Sequence, residues 1–354
     1  MIIFADIITI NMKSLIEKYK NKKKQAIISK NYDGEYAFVG IGSHSLNNLY
    51  PVLDYLKVNV KYIVTRSKEN AELISSSYSQ TSGTNDLDSV LLDPAIKGVF
   101  VCASPSQHFS IAQKVLNSGK HLFIEKPPCY SEIELQQLTE ASMSKNLITV
   151  AGLQKRYAPV SSKLKAISSK ATYYTMKYQT GAYPEGDALF DLFIHPIDLS
   201  VFLFGDAQIQ SAQKIQRNSS AFTWLIHLKH SNGIIGSLEL STDFSWTGAN
   251  EQITINTPRG IYHCDDMCSL TYTNKPRVIA GIPLEKVRAF NSTTEQIYKQ
   301  NNFLPVKEHN QIFASGFYSE IKTFLDLCEG KKALNLSNFQ SLKGTYKLLE
   351  QIKG

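Results

Sequence analysis

The sequence is poor in cysteine, with five in 354 residues. Cys102, Cys129, Cys264, Cys268 and Cys328 are odd in number and follow no disulfide-framework spacing, which points to a reducing compartment. His263, Cys264 and Cys268 lie close together, but no second cysteine pair completes a zinc site, and no metal is expected. No run approaches the roughly 18–20 apolar residues needed to span a bilayer. The first apolar stretch precedes the lysines and is broken by Asp6, the wrong order for a secretory signal. These absences lead us to expect a soluble, cytoplasmic chain with no membrane partner.

Charge is not spread widely. The formal net charge is +7, and residues 13–24 contribute +5 of it through Lys13, Lys18, Lys20, Lys22, Lys23 and Lys24 against Glu17. The remainder offers no broad cationic face, so no nucleic-acid partner is expected. The basic run suits a short helix; its residues assign it no task. A 43% hydrophobic content supports real cores, and the length suits two domains.

From residue 36 short apolar runs alternate with helical stretches. Segments 36–41, 60–65, 98–103, 121–124 and 148–151 read as buried strands, and 45–56, 67–77, 105–118 and 131–145 as helices. Continuous apolar runs, such as 99–103, fit parallel strands covered on both faces. This is the pattern of a doubly wound α/β sheet. Beyond residue 155 strand-like segments dominate, at 171–180, 221–229, 234–241, 252–256 and 260–264. Ser231-Asn232-Gly233 marks a hairpin. Helices are expected near 188–204, 311–329 and 337–352. The expected organisation is an extension over 1–35, a Rossmann domain over 36–155 and an α+β domain with a largely antiparallel sheet over 156–354.

The first strand runs into Gly40-Ile41-Gly42-Ser43-His44-Ser45, a G-x-G-x-x-S turn that lacks the third glycine. Gly40 and Gly42 permit a tight turn and close backbone approach to a pyrophosphate, which Ser43 and His44 would border at the helix N-terminus. Ser45 is small enough for close helix–strand packing. The second strand ends in Thr65-Arg66-Ser67, where an NAD-preferring site usually has a carboxylate. Arg66 could pair with a 2′-phosphate, with Thr65 and Ser67 donating hydrogen bonds; the alternative is an Arg66 that stacks on adenine or faces solvent. NADP(H) is therefore the expected cofactor, with NAD(H) possible.

Glu125-Lys126-Pro127 follows the apolar run 121–124, at the strand edge where open α/β sheets bind ligands. Pro127 and Pro128 hold the chain extended. Downstream, Asp191, His195 and Asp198 are spaced i, i+4, i+7 on a helix that is apolar nearly all round. Either His195 is a core histidine capped by Asp191, or the set does chemistry. Pro196 marks an early helical position or a kink.

These features together resemble the Gfo/Idh/MocA family of sugar and inositol oxidoreductases, from about residue 36 to the C-terminus. The resemblance rests on Gly40-Ile41-Gly42, on Ser104-Pro105 with His108, on Gly119 through Pro127, and on Asp191 with His195. The stretch 151–159, Ala-Gly-Leu-Gln-Lys-Arg-Tyr-Ala-Pro, looks like that family's crossover out of the nucleotide domain. The resemblance implies that Lys126 touches cofactor and substrate, with Glu125 beside it, that His195 is the general acid/base, and that Asp191 orients it or holds a neighbouring hydroxyl. It implies that Ser104, Pro105 and His108 line the cofactor channel and that Arg156 and Tyr157 reach the substrate edge. It also implies a polyhydroxylated substrate, which Tyr178, Tyr183 or Trp246 could stack upon, and a homodimer or homotetramer built on the open sheet. Ser45 and Phe193 depart from the family's small residues, and residues 1–35 lie outside the match.

Overall fold

The computed structural model describes residues 12–22, 32–78, 80–289, 291–301 and 310–353. Residues 12–22 form helix α1, exposed along its whole length. Lys23 and Lys24, expected in the same helix, lie outside the described residues.

Six strands form the first sheet: β1 (Glu35–Val39), β2 (Asn59–Val64), β3 (Ser82–Thr84), β4 (Ile96–Val101), β5 (His121–Glu125) and β6 (Thr149–Gly152). All neighbours are parallel, in the order β3-β2-β1-β4-β5-β6. This is the doubly wound order, and its direction reverses between β1 and β4, where a ligand crevice forms. A π-helical turn, Ser45–Leu49, leads into α2 (Tyr50–Tyr55), followed by α3 (Lys68–Ser75), α4 (Leu87–Leu92), α5 (Pro105–Asn117) and α6 (Glu132–Ser144). Strand residues alternate between faces. Val39, Val101 and Ile124 pack with Ala112, Val115 and Leu135 of α5 and α6, while Tyr36, Phe38, Phe100 and Phe123 form a second cluster with Val52 and Leu53 of α2.

After α7 (Pro159–Ser168) come β7 (Tyr173–Gln179), a π-helical turn (Leu189–Phe193) continuing into α8 (Ile194–Phe204), β8 (Ala207–Gln216), β9 (Phe222–His230), β10 (Ile235–Ser241), β11 (Asn250–Thr257), β12 (Gly260–Asp265) and β13 (Ser269–Asn274). A small hairpin of β14 (Val278–Ile279) and β15 (Ile282–Pro283) precedes β16 (Thr294–Lys299). The second sheet has eight strands in the order β16-β13-β12-β11-β7-β10-β9-β8. It is antiparallel except for the parallel pair β7–β10. Ile226 and Leu228 of β9 and Leu238 and Leu240 of β10 are buried, and Leu225 and Ile235 face outward. One face is thus a core and the other is open, as antiparallel sheets allow. Gly233 closes the β9–β10 turn at φ +88°.

The C-terminal helices pack across the expected 155/156 boundary. Phe317, Ile321, Phe324 and Leu325 of α10 (Phe317–Cys328) lie on the first sheet, with the Phe324 ring 5.1 Å from Phe100 and 6.0 Å from Phe123. Helix α11 (Lys343–Lys353), which follows the four-residue α9 (Gln311–Ala314) and α10, packs against both α6 and α8. A break at 155/156 in sequence is therefore not a break in packing.

Candidate functional site

The cofactor turn sits at the carboxyl end of β1. Gly40 has φ +90°, and a Cβ there would lie 2.4 Å from the Cys102 carbonyl oxygen, so only glycine fits between β1 and β4. Gly42 is the opposite case: a Cβ there would meet nothing within 4 Å. Its backbone borders open space, as a pyrophosphate cradle requires. Ser45 takes the third glycine's place for a visible reason. Its fully buried hydroxyl donates to the Gly42 carbonyl and accepts from the Gly42 amide, both at 2.9 Å. Ser43 and His44 stay exposed; Ser43 accepts from Asn47, and His44 Nε2 lies 3.2 Å from Glu125 Oε1. Glu125 Oε1 itself has no hydrogen-bond partner.

At the end of β2 the expected trio is only partly free. The Thr65 hydroxyl donates to the Ser67 carbonyl, and Ser67 donates to Glu69 while capping α3 through the Asn70 amide. Both hydroxyls are thus committed locally. Arg66 is exposed and has no ion-pair partner among the described residues.

Ser104 and Pro105 begin α5 at the end of β4, with the Ser104 hydroxyl making no capping bond. His108 does not line a channel. It is 1% exposed, with Nδ1 2.8 Å from the Pro127 carbonyl and Nε2 2.9 Å from the Ala103 carbonyl. Burial pulls its pKa down. His108 braces the Lys126–Pro127 loop from behind.

Lys126 follows β5, and its peptide bond to Pro127 is cis. Its amide approaches Glu125 Oε2 at 3.3 Å. Gly152 of β6 makes room for that carboxylate, since a Cβ there would sit 2.7 Å from Oε2. The Lys126 ammonium donates to the Asp191 carbonyl oxygen. Burial lowers its pKa, against the opposing charges of Glu125 and Asp191.

The Asp191 carboxylate does not hold His195. Oδ1 accepts from the Tyr130 hydroxyl at 3.2 Å and Oδ2 from the Tyr183 hydroxyl at 3.3 Å. Gly186 closes over it, where a Cβ would come within 2.3 Å of Oδ2. Burial raises the Asp191 pKa, with Lys126 and the two tyrosines opposing. His195 is buried, and its Nδ1 has no partner. Burial, then the positive charges of Lys126 and Lys155, press its pKa well below 6.5. The lowered pKa favours the neutral imidazole.

Asp198, grouped with these by spacing, belongs elsewhere. The π-helical turn before α8 disrupts the simple i, i+4, i+7 register. Asp198 receives Arg156 Nε at 2.7 Å, Arg156 Nη2 at 2.5 Å and the Thr345 hydroxyl at 2.9 Å. The remaining Arg156 donors go to Leu336 and Ser341. Tyr157 is likewise buried and bonded to Ser337 and the Leu336 amide. Arg156 thus ties α8 to the segment 336–341, and Tyr157 bonds to the same segment.

Two groups that reasoning from sequence passed over, Tyr130 and Lys155, stand at the site. Tyr130 lies three residues past Pro127 and reaches Asp191. Lys155, neighbour of the flagged Arg156, bonds to Glu251 and lies 4.8 Å from the Tyr178 ring centre. Burial opposes its charge, but Glu251 outweighs that and its pKa is raised. Tyr178 is thereby covered by a cation. Trp246 is half exposed beside Tyr183, its indole donating to the Ala182 carbonyl.

Residues 35–153 match the family described as "Oxidoreductase family, NAD-binding Rossmann fold". An uncharacterised oxidoreductase of Escherichia coli, YhhX, is 30% identical over 184 residues, 48% of this chain and 53% of that protein. The match thus spans about half of that relative. The structure of a dehydrogenase from Chromobacterium violaceum superposes with a TM-score of 0.76 at 20% identity, over 90% of this chain and 94% of that one. A 3-ketoreductase from Actinomadura kijaniata, in complex with TDP-benzene and NADP, gives 0.71 at 12% identity, over 90% and 96%. The family match over residues 35–153 and the superposed fold agree with the resemblance to Gfo/Idh/MocA oxidoreductases that the motifs carry.

Proposed function

We propose that this protein catalyses reversible hydride transfer between NADP(H) and a secondary alcohol or ketone of a polyhydroxylated substrate. One observation carries the reading. Lys126 from β5 and His195 and Asp191 from the α8 region, distant in sequence, converge at the carboxyl edge of the parallel sheet. The nicotinamide, when bound, supplies or receives the hydride. Gly40 and Gly42 fit its dinucleotide, one by excluding a Cβ and the other by facing open space. His195, its pKa lowered by burial, takes the proton from the alcohol or returns it to the forming alkoxide. Lys126 stabilises negative charge on that oxygen. The lowered pKa of Lys126 brings it nearer to proton exchange than an ordinary lysine. Asp191, fixed by two tyrosines, holds Lys126 through its backbone and offers a polar wall for a second hydroxyl.

Arg66, exposed and unpaired among the described residues, supports NADP(H) over NAD(H). A homodimer or homotetramer through the outer face of the second sheet is part of the same reading; Tyr173, Leu225 and Ile235 are exposed there. Calorimetric titration with NADPH and NADH side by side tests the cofactor assignment. Tighter NADPH binding supports it, and tighter NADH binding overturns the Arg66 role while leaving Lys126 and His195 in place.

A further inference from the structure

The lysine-rich segment ahead of β1 takes no part in the chemistry above. Within α1, Met12, Leu15, Ile16 and Tyr19 fall at i, i+3, i+4 and i+7, which gathers them into an arc of about 100°. They are 56%, 66%, 49% and 67% exposed, so no described part of the chain covers them. Lys13 and Lys20 border the arc on one side, and Lys18 and Lys22 on the other. Ser14, Glu17 and Asn21 occupy the back. The helix carries four lysines against one glutamate, a net +3.

From this arrangement we infer that α1 is a membrane-surface helix that docks on anionic phospholipid. Lysines on both flanks of an apolar arc let their stems lie along the acyl boundary while the ammonium groups meet phosphates. A second copy of the chain is a poorer occupant, because paired helices would bring +3 against +3. A nucleic acid would satisfy the lysines and leave the four apolar side chains in water. The expectation of no membrane partner rested on the lack of a spanning segment. Among the described residues no helix is long and apolar enough to cross a membrane, but lying on a surface asks only for one amphipathic face. Four apolar side chains give reversible, salt-sensitive attachment rather than insertion.

The test is co-sedimentation of the full chain with phosphatidylcholine vesicles, pure or containing about one third phosphatidylglycerol. Binding is expected to the anionic vesicles alone and to fall as salt is raised. Lys18→Glu with Lys20→Glu should weaken it by more than about tenfold. Leu15→Ser with Ile16→Ser should abolish it while circular dichroism and cofactor binding stay as in the parent. Failure to sediment with anionic vesicles overturns the inference. So does undiminished binding by the Leu15/Ile16 variant, which would mark a purely electrostatic site of the kind nucleic acid uses. A fall in solution mass of that variant by light scattering would also overturn it, since the arc would then cover a second copy.

Discussion

The ammonium of Lys126 donates its hydrogen bond to the carbonyl oxygen of Asp191, 65 residues further along the chain. The bond joins the loop after β5 to the π-helical turn before α8. Lys126→Met should leave cofactor affinity measurable and lower turnover by about 10²-fold or more. The alkaline limb of kcat/KM should lie below 10.5 in the parent, because burial depresses Lys126, and should vanish in the variant. A pH–rate series checks both. An alkaline limb unchanged in Lys126→Met would remove the lysine from the chemistry.

Tyr130 and Tyr183 each donate to one oxygen of Asp191. Tyr130→Phe or Tyr183→Phe removes one hydrogen bond to a buried carboxylate, a loss of about 1.5–3 kcal/mol where the acceptor is charged. With Asp191 less firmly held, KM for substrate should rise in both variants while cofactor affinity is kept. Steady-state kinetics with saturating cofactor read the change. KM values equal to the parent's in both would place Asp191 outside the substrate wall.

Arg156 and Asp198 form a bidentate pair, each about 2–3% exposed at the side chain. Arg156→Met leaves Asp198 as a buried charge, and should lower stability by about 3–5 kcal/mol. The two side chains spend their hydrogen bonds on each other and on Leu336, Ser341 and Thr345 rather than on Lys126 or His195, so KM of the folded fraction should hold. Denaturant unfolding combined with active-fraction kinetics separates the two. A raised KM at unchanged stability would restore the substrate role expected from sequence.

Glu320 is fully buried, and neither carboxylate oxygen has a hydrogen-bond partner. Burial, with the charge of Glu125 adding to it, raises its pKa well above 4.5. A folded pKa above the unfolded one means the protonated acid contributes stability in full below about 4.5. That contribution is lost as pH rises toward the folded value. Glu320→Gln removes the titration, so its Tm should decline less steeply with rising pH than the parent's. Parallel Tm–pH curves would contradict this.

The parts legible in the sequence were those written in local chemistry. The five apolar strands of the first sheet, the two glycines and the Glu-Lys-Pro edge all appear as short contiguous signals. Strand β3 did not, because Ser-Gly-Thr is a three-residue edge strand with no apolar run. Strand β8 escaped for a similar reason: its alternating face is largely exposed, and glutamines and serine fill it. Asp191 with Tyr130, Asp198 with Arg156 and Lys155 with Glu251 pair across 61, 42 and 96 residues. Periodicity on one helix cannot report such pairings, so spacing grouped Asp198 with His195 when its charge belonged to Arg156. Arg156 and Tyr157 drew attention by type, while Lys155, one position earlier, holds a charge that His195 feels after that of Lys126.

The central claim is that Lys126 and His195 act together on a bound substrate oxygen. Single-turnover NADPH oxidation by a panel of keto-sugars, followed by absorbance in the parent, Lys126→Met and His195→Asn, tests it most directly. The account predicts rapid oxidation with at least one panel member in the parent. Each variant should be slower by about 10²-fold or more with NADPH still bound. Near-parental rates in both variants would contradict it.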